Sequence, residues 1–469
     1  MLKKGFLTLC IPLCLFSQLL GSSKASGEIS LEKLAKVKAE LENDSTFRIT
    51  RNALTNVELQ HIALNWDRYV AIDHTFSHCV YPELAATDQY ESGRCWIFAG
   101  LNLMRIPFCR EHNIHNFEFS QSYLFFYDKI EKVNYFLENI LKTSNESHDS
   151  RLVSYLLKDP ICDGGQWDMF TNVVKKYGLV PKSVYPDSFA AIRSAPLNYI
   201  LTLKLREWAL KLRTLKKEGV SSKELSDVKD EMISKAYKIL ATHFGFPPET
   251  FDWEYWNNDG DFVAHRNLTP KTFFSDLVKF PLDDMVCLVN SPRAITPYNQ
   301  TYVISYLGNV VGGKPITYLN VNMDVIRQAT IDTLKDNSPV FFGCDVAKFF
   351  HGGLGVMDTE LFEYDILYDM PFTLDKVSKM NYGETQITHA MLFTGVNLID
   401  GVPNRWRVEN SWGRYMGDQG YFVMTDKWFE EYMLEVVINK KYLSDEVLKN
   451  YQKKPQILPP WDPLGALAN

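Results

Sequence analysis

The chain has 469 residues, 46% of them hydrophobic and 23% charged, with 25 Gly and 21 Pro. This mixture excludes wholesale disorder, a collagenous repeat and a long coiled coil, and the length predicts two to three domains or one large fold with an insertion. Fifty basic against 57 acidic side chains give a net charge of −7, the wrong sign for a protein built mainly to neutralise phosphates.

Lys3 and Lys4 precede an uncharged apolar run from Gly5 to Leu20, and the small residues Gly21, Ser22, Ser23 and Ala25 follow. This is the pattern of a secretory signal peptide, residues 1–25, cleaved after Ala25. An uncleaved anchor is the competing reading, but the run is shorter than the roughly 20 residues a spanning helix needs. Cleavage removes Lys3, Lys4 and Lys24 and takes the net charge from −7 to −10. No later stretch is long and apolar enough to span a bilayer, so a mature chain that is exported, with no membrane attachment, is expected. Sequons at Asn43, Asn145, Asn267 and Asn299 are open to glycans on a eukaryotic route.

Residues 26–190 are expected to form an N-terminal arm with helical pieces, up to about residue 85, and then a helical lobe. From Cys95 to Arg105 the chain is apolar and interrupted only by Gly100, which predicts a buried helix starting after the Ser92-Gly93-Arg94 turn. Ser120 to Leu141 is a second, aromatic-rich helix, and Asp163-Gly164-Gly165-Gln166 is a turn before a helical pattern from Trp167 to Tyr177. Residues 191–245 read as a helical insertion. Between 203 and 240 ten Lys/Arg stand against six Asp/Glu; a solvated outer face explains this excess, and a nucleic-acid surface is the weaker alternative.

Residues 246–454 change period. Val286–Asn290, Thr301–Leu307, Pro339–Cys344, Ala390–Val396, Arg405–Val408 and Gly420–Met424 are β-branched and aromatic runs bounded by turn residues, and predict an antiparallel sheet. Helices first and strands later indicate an α+β fold. Residues 455–469 form a proline-rich tail, expected to be extended and not helical over most of its length.

Chemistry concentrates in three segments. In Gln89-Tyr90-Glu91-Ser92-Gly93-Arg94-Cys95-Trp96, a thiol sits where the next helix begins, and the positive end of a helix favours the thiolate. The Gln89 amide and the Cys95 backbone N–H are placed to stabilise an oxyanion. His389 opens the apolar run His389-Ala390-Met391-Leu392-Phe393, and Asn410, in Glu409-Asn410-Ser411-Trp412-Gly413, follows 21 positions later. An Asn410 oxygen accepting from the His389 ring would fix its tautomer, with Trp412 shielding that bond. His351 is the rival base, without a trailing Asn-Ser-Trp. Cys79, Cys109, Cys162, Cys287 and Cys344 lack such company and read as structural; with Cys10 and Cys14 gone, six cysteines without a Cys-x-x-Cys pair are too sparse for a disulfide framework.

Gln, Cys-Trp after a glycine turn, His-Ala and Asn-Ser-Trp-Gly together resemble the papain-like cysteine peptidases. Gly93-Arg94-Cys95-Trp96, Thr388-His389-Ala390-Met391, the long interval with its helical insert, and the ending Trp461-Asp462-Pro463-Leu464-Gly465-Ala466-Leu467-Ala468-Asn469 narrow the resemblance to the bleomycin hydrolase or aminopeptidase C family, from about residue 45 onward. The resemblance implies a two-lobed papain-like fold, a helical lobe and an antiparallel β-sheet lobe, with the insertion and a C-terminal tail reaching the cleft. It also implies aminopeptidase action on peptides, hexameric rings, Gly164 and Gly165 lining a substrate groove, and the Asn469 carboxylate near the substrate amine. An ungated endopeptidase is the alternative. Two departures stand out: relatives are typically intracellular, and Tyr90 and Glu91 add negative character beside the thiol, either raising its pKa or recruiting an amine.

No cofactor or metal is implied: the metal-binding motifs that pair His or Cys at fixed spacing are absent. Gly308 to Lys314 has the spacing of a phosphate loop, but Pro315 stands where a hydroxyl should bind magnesium, so a hairpin-type turn is predicted.

Overall fold

The computed structural model describes residues 27–468; the predicted signal segment 1–25 and Asn469 lie outside them. The described residues fall into two compact units, divided between Ile62 and Ala63. The first contains helices Leu31–Glu42 and Ser45–Leu54, started by Ser30 and Asp44, whose side-chain oxygens accept from backbone N–H groups of the first turn.

In the second unit the Cys95 helix runs to Glu111, past the expected end at Arg105 and through Pro107. Pro107 donates no hydrogen bond, but Ile106, Phe108 and Cys109 are all buried, and that apolar burial outweighs the missing bond. Ser120 caps the helix Gln121–Lys142. Trp167–Tyr177 ends at Gly178, whose φ of 77° and contact with the Pro270 carbonyl leave no room for a side chain. The insertion forms two helices, Ala195–Lys217 and Ser222–Phe244, the second opened by a capping box of Ser221 and Glu224. Leu197, Leu201, Leu205, Trp208 and Leu212 are buried on one face. Several of its cations are already engaged: Arg206 donates to the Leu157 and Lys158 carbonyls, Arg213 to those of Thr143 and Glu146, and Lys229 to Glu138.

Among the described residues eleven strands of the C-terminal half, joined by His78–Cys79, build a twelve-stranded sheet. Its centre runs Met285–Val289, Met433–Asn439, Val340–Cys344, His389–Ile399, Val402–Glu409 and Tyr421–Thr425, each antiparallel to the next. The expectation of a purely antiparallel sheet needs correction. Met285–Val289 pairs parallel with Thr317–Asn320, because the strand Gln300–Ile304 lies beyond the latter and hairpins back onto it. Val356–Met357 is parallel to Tyr421–Thr425, and Gln456–Leu458 to Gln300–Ile304. The chain between Gln300–Ile304 and Thr317–Asn320, which holds Gly308 to Lys314, joins two antiparallel strands.

The tail is extended only at its start. Pro463–Ala468 winds into a 3-10 helix, where proline at the first position sacrifices no hydrogen bond. A continuous apolar core links the Cys95 helix, the Gln121–Lys142 helix and the sheet, with Trp96, Phe125, Phe342, Phe393 and Trp406 at its middle.

Candidate active site

Cys95 is the first residue of its 17-residue helix and is 4% exposed. The turn before it is held by Arg94, which is buried and donates to Asp187 at 2.8 Å and to Ser92 Oγ at 2.9 Å. The arginine also lies over the Phe98 ring, 5.1 Å from its centroid. The positive end of the helix therefore faces the sulfur.

The Ala390 backbone N–H reaches the Cys95 sulfur, which brings together segments far apart in the chain. His389, at the start of the strand His389–Ile399, is the neighbouring residue. Its Nε2 lies 2.8 Å from Asn410 Oδ1, which also accepts from Ser411 N at 2.7 Å. Asn410 Oδ1 accepts, so Nε2 carries the proton and Nδ1 is left with a lone pair. Trp412 packs over the imidazole, ring centroids 4.9 Å apart at 38°.

Gln89 joins both walls. Its N–H donates to Ser411 O at 2.8 Å, its Oε1 accepts from Ser411 Oγ at 2.7 Å, and Nε2 donates to Ser92 O at 2.6 Å. Since Oε1 is the acceptor end, the amide nitrogen faces the Cys95 turn with one of its two N–H groups unused by Ser92.

Cys95 lines a cavity of about 490 Å³ with Gly164, Asp163, Thr388, Ala466 and Leu467. The tail thus reaches this cavity, while Asn469 lies outside the described residues. Gly164 is on the cavity wall, its carbonyl accepting from Lys132 at 2.5 Å. Gly165 is placed differently: a Cβ there would come within 2.4 Å of the Trp96 indole, so its missing side chain makes room for Trp96. Glu91 forms an ion pair with Arg193 at 2.8 Å, and it is Asp163 that acts electrostatically on Cys95. His351 Nδ1 accepts from Leu354 N at 3.2 Å, within the hairpin Phe350–His351/Val356–Met357 at the edge of the sheet.

Burial sets the electrostatics. It pushes the Cys95 thiol up to about 11 and the His389 imidazole down to about 4, so each group taken singly favours its neutral form.

A match to the Peptidase C1-like family spans residues 28–465. The chain belongs to the Peptidase C1-like family. It is 44% identical to aminopeptidase C of Listeria innocua, over 85% of this chain and 89% of that protein. Human bleomycin hydrolase is 41% identical, over 95% of this chain and 100% of its own. The crystal structure of PepW from Lactobacillus rhamnosis HN001 superposes with a TM-score of 0.91 at 43% identity, covering 94% of this chain and 99% of that one. This Peptidase C1-like chain therefore has the α+β, papain-like architecture that its motifs predict.

Sequence reasoning missed two parts of the cavity. One is a buried charge cluster beneath it. Asp163 accepts from Gly93 N at 3.0 Å, Lys129 at 2.7 Å, Asn198 at 2.7 Å and Ser194, while its own carbonyl accepts from Trp96 Nε1 at 2.8 Å. Burial opposes the Asp163 charge, but Lys129, Ser194 and Asn198 outweigh it and hold the carboxyl well below its ordinary value. Lys132 and Asp128 pair beside it at 2.7 Å. The available signal was Asp128, Lys129 and Lys132 inside an otherwise apolar helix, where charges must be paired. The other part is the insertion: Ala195, Asn198, Tyr199 and Thr202, at helical spacing, line the same cavity. Cys162, read as structural, lines it as well.

Proposed function

We propose that this chain is a cysteine aminopeptidase in which Cys95 is the nucleophile, His389 the general base, Asn410 the group that orients it, and Gln89 with the Cys95 N–H the oxyanion donors. The observation that carries the reading is the bond from Asn410 Oδ1 to His389 Nε2, which leaves Nδ1 to take a proton, on a strand whose next residue touches the sulfur. His389 removes the thiol proton, and the resulting thiolate and imidazolium neutralise one another in a site too buried for either charge alone. The thiolate attacks the peptide carbonyl, the developing oxyanion is met by the two N–H donors, and the imidazolium protonates the departing amine. Water then hydrolyses the thioester.

The substrates proposed are peptides with a free N-terminus. Ala466 and Leu467 line the cavity that holds Cys95, and this supports a site shortened by the tail. Gly164 would flank the bound backbone, Trp412 would keep water from the His389–Asn410 bond, and the Asn469 carboxylate would meet the substrate amine. By the family resemblance we further propose a hexameric assembly, and by the N-terminal segment export from the cell.

Fluorogenic aminoacyl amides should be cleaved, N-blocked peptides should not, and iodoacetamide should abolish the turnover. Faster cleavage of internal bonds than of free N-termini would mean an endopeptidase. A second expectation concerns pH. Because burial depresses His389, its imidazole stays neutral and able to accept a proton until pH falls to about 4. The acid limb of the kcat/KM profile is expected there; a limb near the ordinary imidazole value of about 6.5 would count against this base.

A further inference from the structure

Glu409 immediately precedes Asn410 and ends the strand Val402–Glu409, 2% exposed. Its Oε1 accepts from Asn102 Nδ2 at 3.0 Å and from Arg105 Nη2 at 3.2 Å. Both partners belong to the Cys95 helix, about two and three turns beyond the sulfur. The same two side chains grip the segment that leads to Gln89: Asn102 Nδ2 also donates to Thr87 Oγ1 at 2.9 Å, and Arg105 Nη2 to the Ala85 carbonyl at 2.9 Å. Thr87 O in turn accepts from Gly413 N at 3.0 Å. Three segments, bearing Cys95, Gln89 and Asn410, are therefore tied together by one buried cluster of Asn102, Arg105 and Glu409.

Stability alone is a poor account of this arrangement. A buried ion pair is often no better than well-packed apolar side chains of the same volume. Here Glu409 Oε2 and Arg105 Nε and Nη1 make no hydrogen bond, so the pair leaves polar atoms uncompensated. What directional hydrogen bonds from a planar guanidinium and an amide to a carboxylate supply, and apolar packing does not, is a fixed distance and rotation between elements.

We infer that Glu409, with Arg105 and Asn102, is a positioning residue that sets the Asn410–His389 pair at its working distance from Cys95 and Gln89. The inference rests on the reading of those four residues as the catalytic groups. The three positioning side chains are buried and are not among the residues that line the Cys95 cavity. They act by holding the helix and the strand in register, where a displacement of about 1 Å costs about a hundredfold in rate.

The test uses the full-length chain and the variants Glu409→Gln and Asn102→Ala. Active sites are counted by titration with an irreversible aminoacyl inhibitor that must bind the intact cleft before it alkylates Cys95, so that kcat is expressed per competent site and neither unfolded molecules nor the exposed Cys79 are counted. Glu409→Gln is expected to lower this kcat by about ten- to a hundredfold with KM changed less than about threefold, and to displace the pH profile of Cys95 alkylation by iodoacetamide. Asn102→Ala leaves the Arg105–Glu409 pair intact and keeps the inference testable if the first variant does not fold; a smaller fall, of several-fold in kcat, is expected. Wild-type kcat per titrated thiol and an unchanged alkylation profile, alongside a lowered melting temperature, would overturn the inference, because a merely structural role moves only the last. The underlying reading is checked separately: alkylation must abolish wild-type turnover, whatever the variants do.

Discussion

Replacing Cys95 with alanine is expected to lower kcat/KM for aminoacyl amides by a factor on the order of 10⁴ to 10⁶, the range typical for loss of a nucleophile. The fold should survive. Only a sulfur atom is removed from a site whose neighbours Trp96, Ile97 and Phe98 are buried by their own contacts, and a small truncation of this kind costs about 1 kcal/mol. Circular dichroism and thermal unfolding check the fold, and activity checks the chemistry. A folded Cys95→Ala variant with wild-type turnover would remove the proposed nucleophile.

Arg293→Met is expected to loosen the tail. Arg293 donates to both oxygens of Asp462, at 2.9 and 3.0 Å, and both side chains are buried. Further on, the Leu464 carbonyl accepts from Tyr318 OH at 3.2 Å. Trp461 is covered by Arg151, 3.7 Å from the ring centroid, and Tyr155 OH donates to the Pro460 carbonyl at 2.7 Å. Removing one partner of a buried charge pair costs about 3–5 kcal/mol by stranding the other. Here the cheapest relief is for the Asp462 segment to leave its seat and carry Ala466 and Leu467 out of the cavity. Cleavage of N-blocked peptides should then rise by at least about tenfold, which corresponds to ~1.4 kcal/mol, while release from free N-termini falls. Truncation after Asp462 should act in the same direction. If neither variant changes the ratio of the two activities, the tail does not gate the cleft.

The candidate site was largely legible because its groups are announced locally. Cys95 follows a glycine turn and opens an apolar helix, and Asn410 is followed by Ser411, which holds its amide in place. Groups that serve the site through long-range pairing were not legible. Asp163 looks like any turn aspartate until Lys129, Ser194 and Asn198 converge on it from two helices. Gly165 reads as a groove residue, and only the packing of Trp96 shows what its missing side chain is for. In the fold, the central strand Met433–Asn439 follows the helix Asp426–Tyr432 with no turn residue to mark the change. The parallel pairings depend on which neighbour a strand finds after the chain has doubled back, and no local pattern encodes that. The continuation through Pro107 is likewise a tertiary effect, in which packing overrides a local helix breaker.

Tyr199 and Thr202 stand near the start of the insertion's first helix and line the same cavity as Cys95. The insertion is therefore part of the wall of the candidate site and no mere appendage. Excising it to obtain a smaller enzyme would remove the four lining residues Ala195, Asn198, Tyr199 and Thr202. Conversely, altering that one helical face offers a way to retune which terminal amino acids are trimmed while the bond-breaking groups stay untouched.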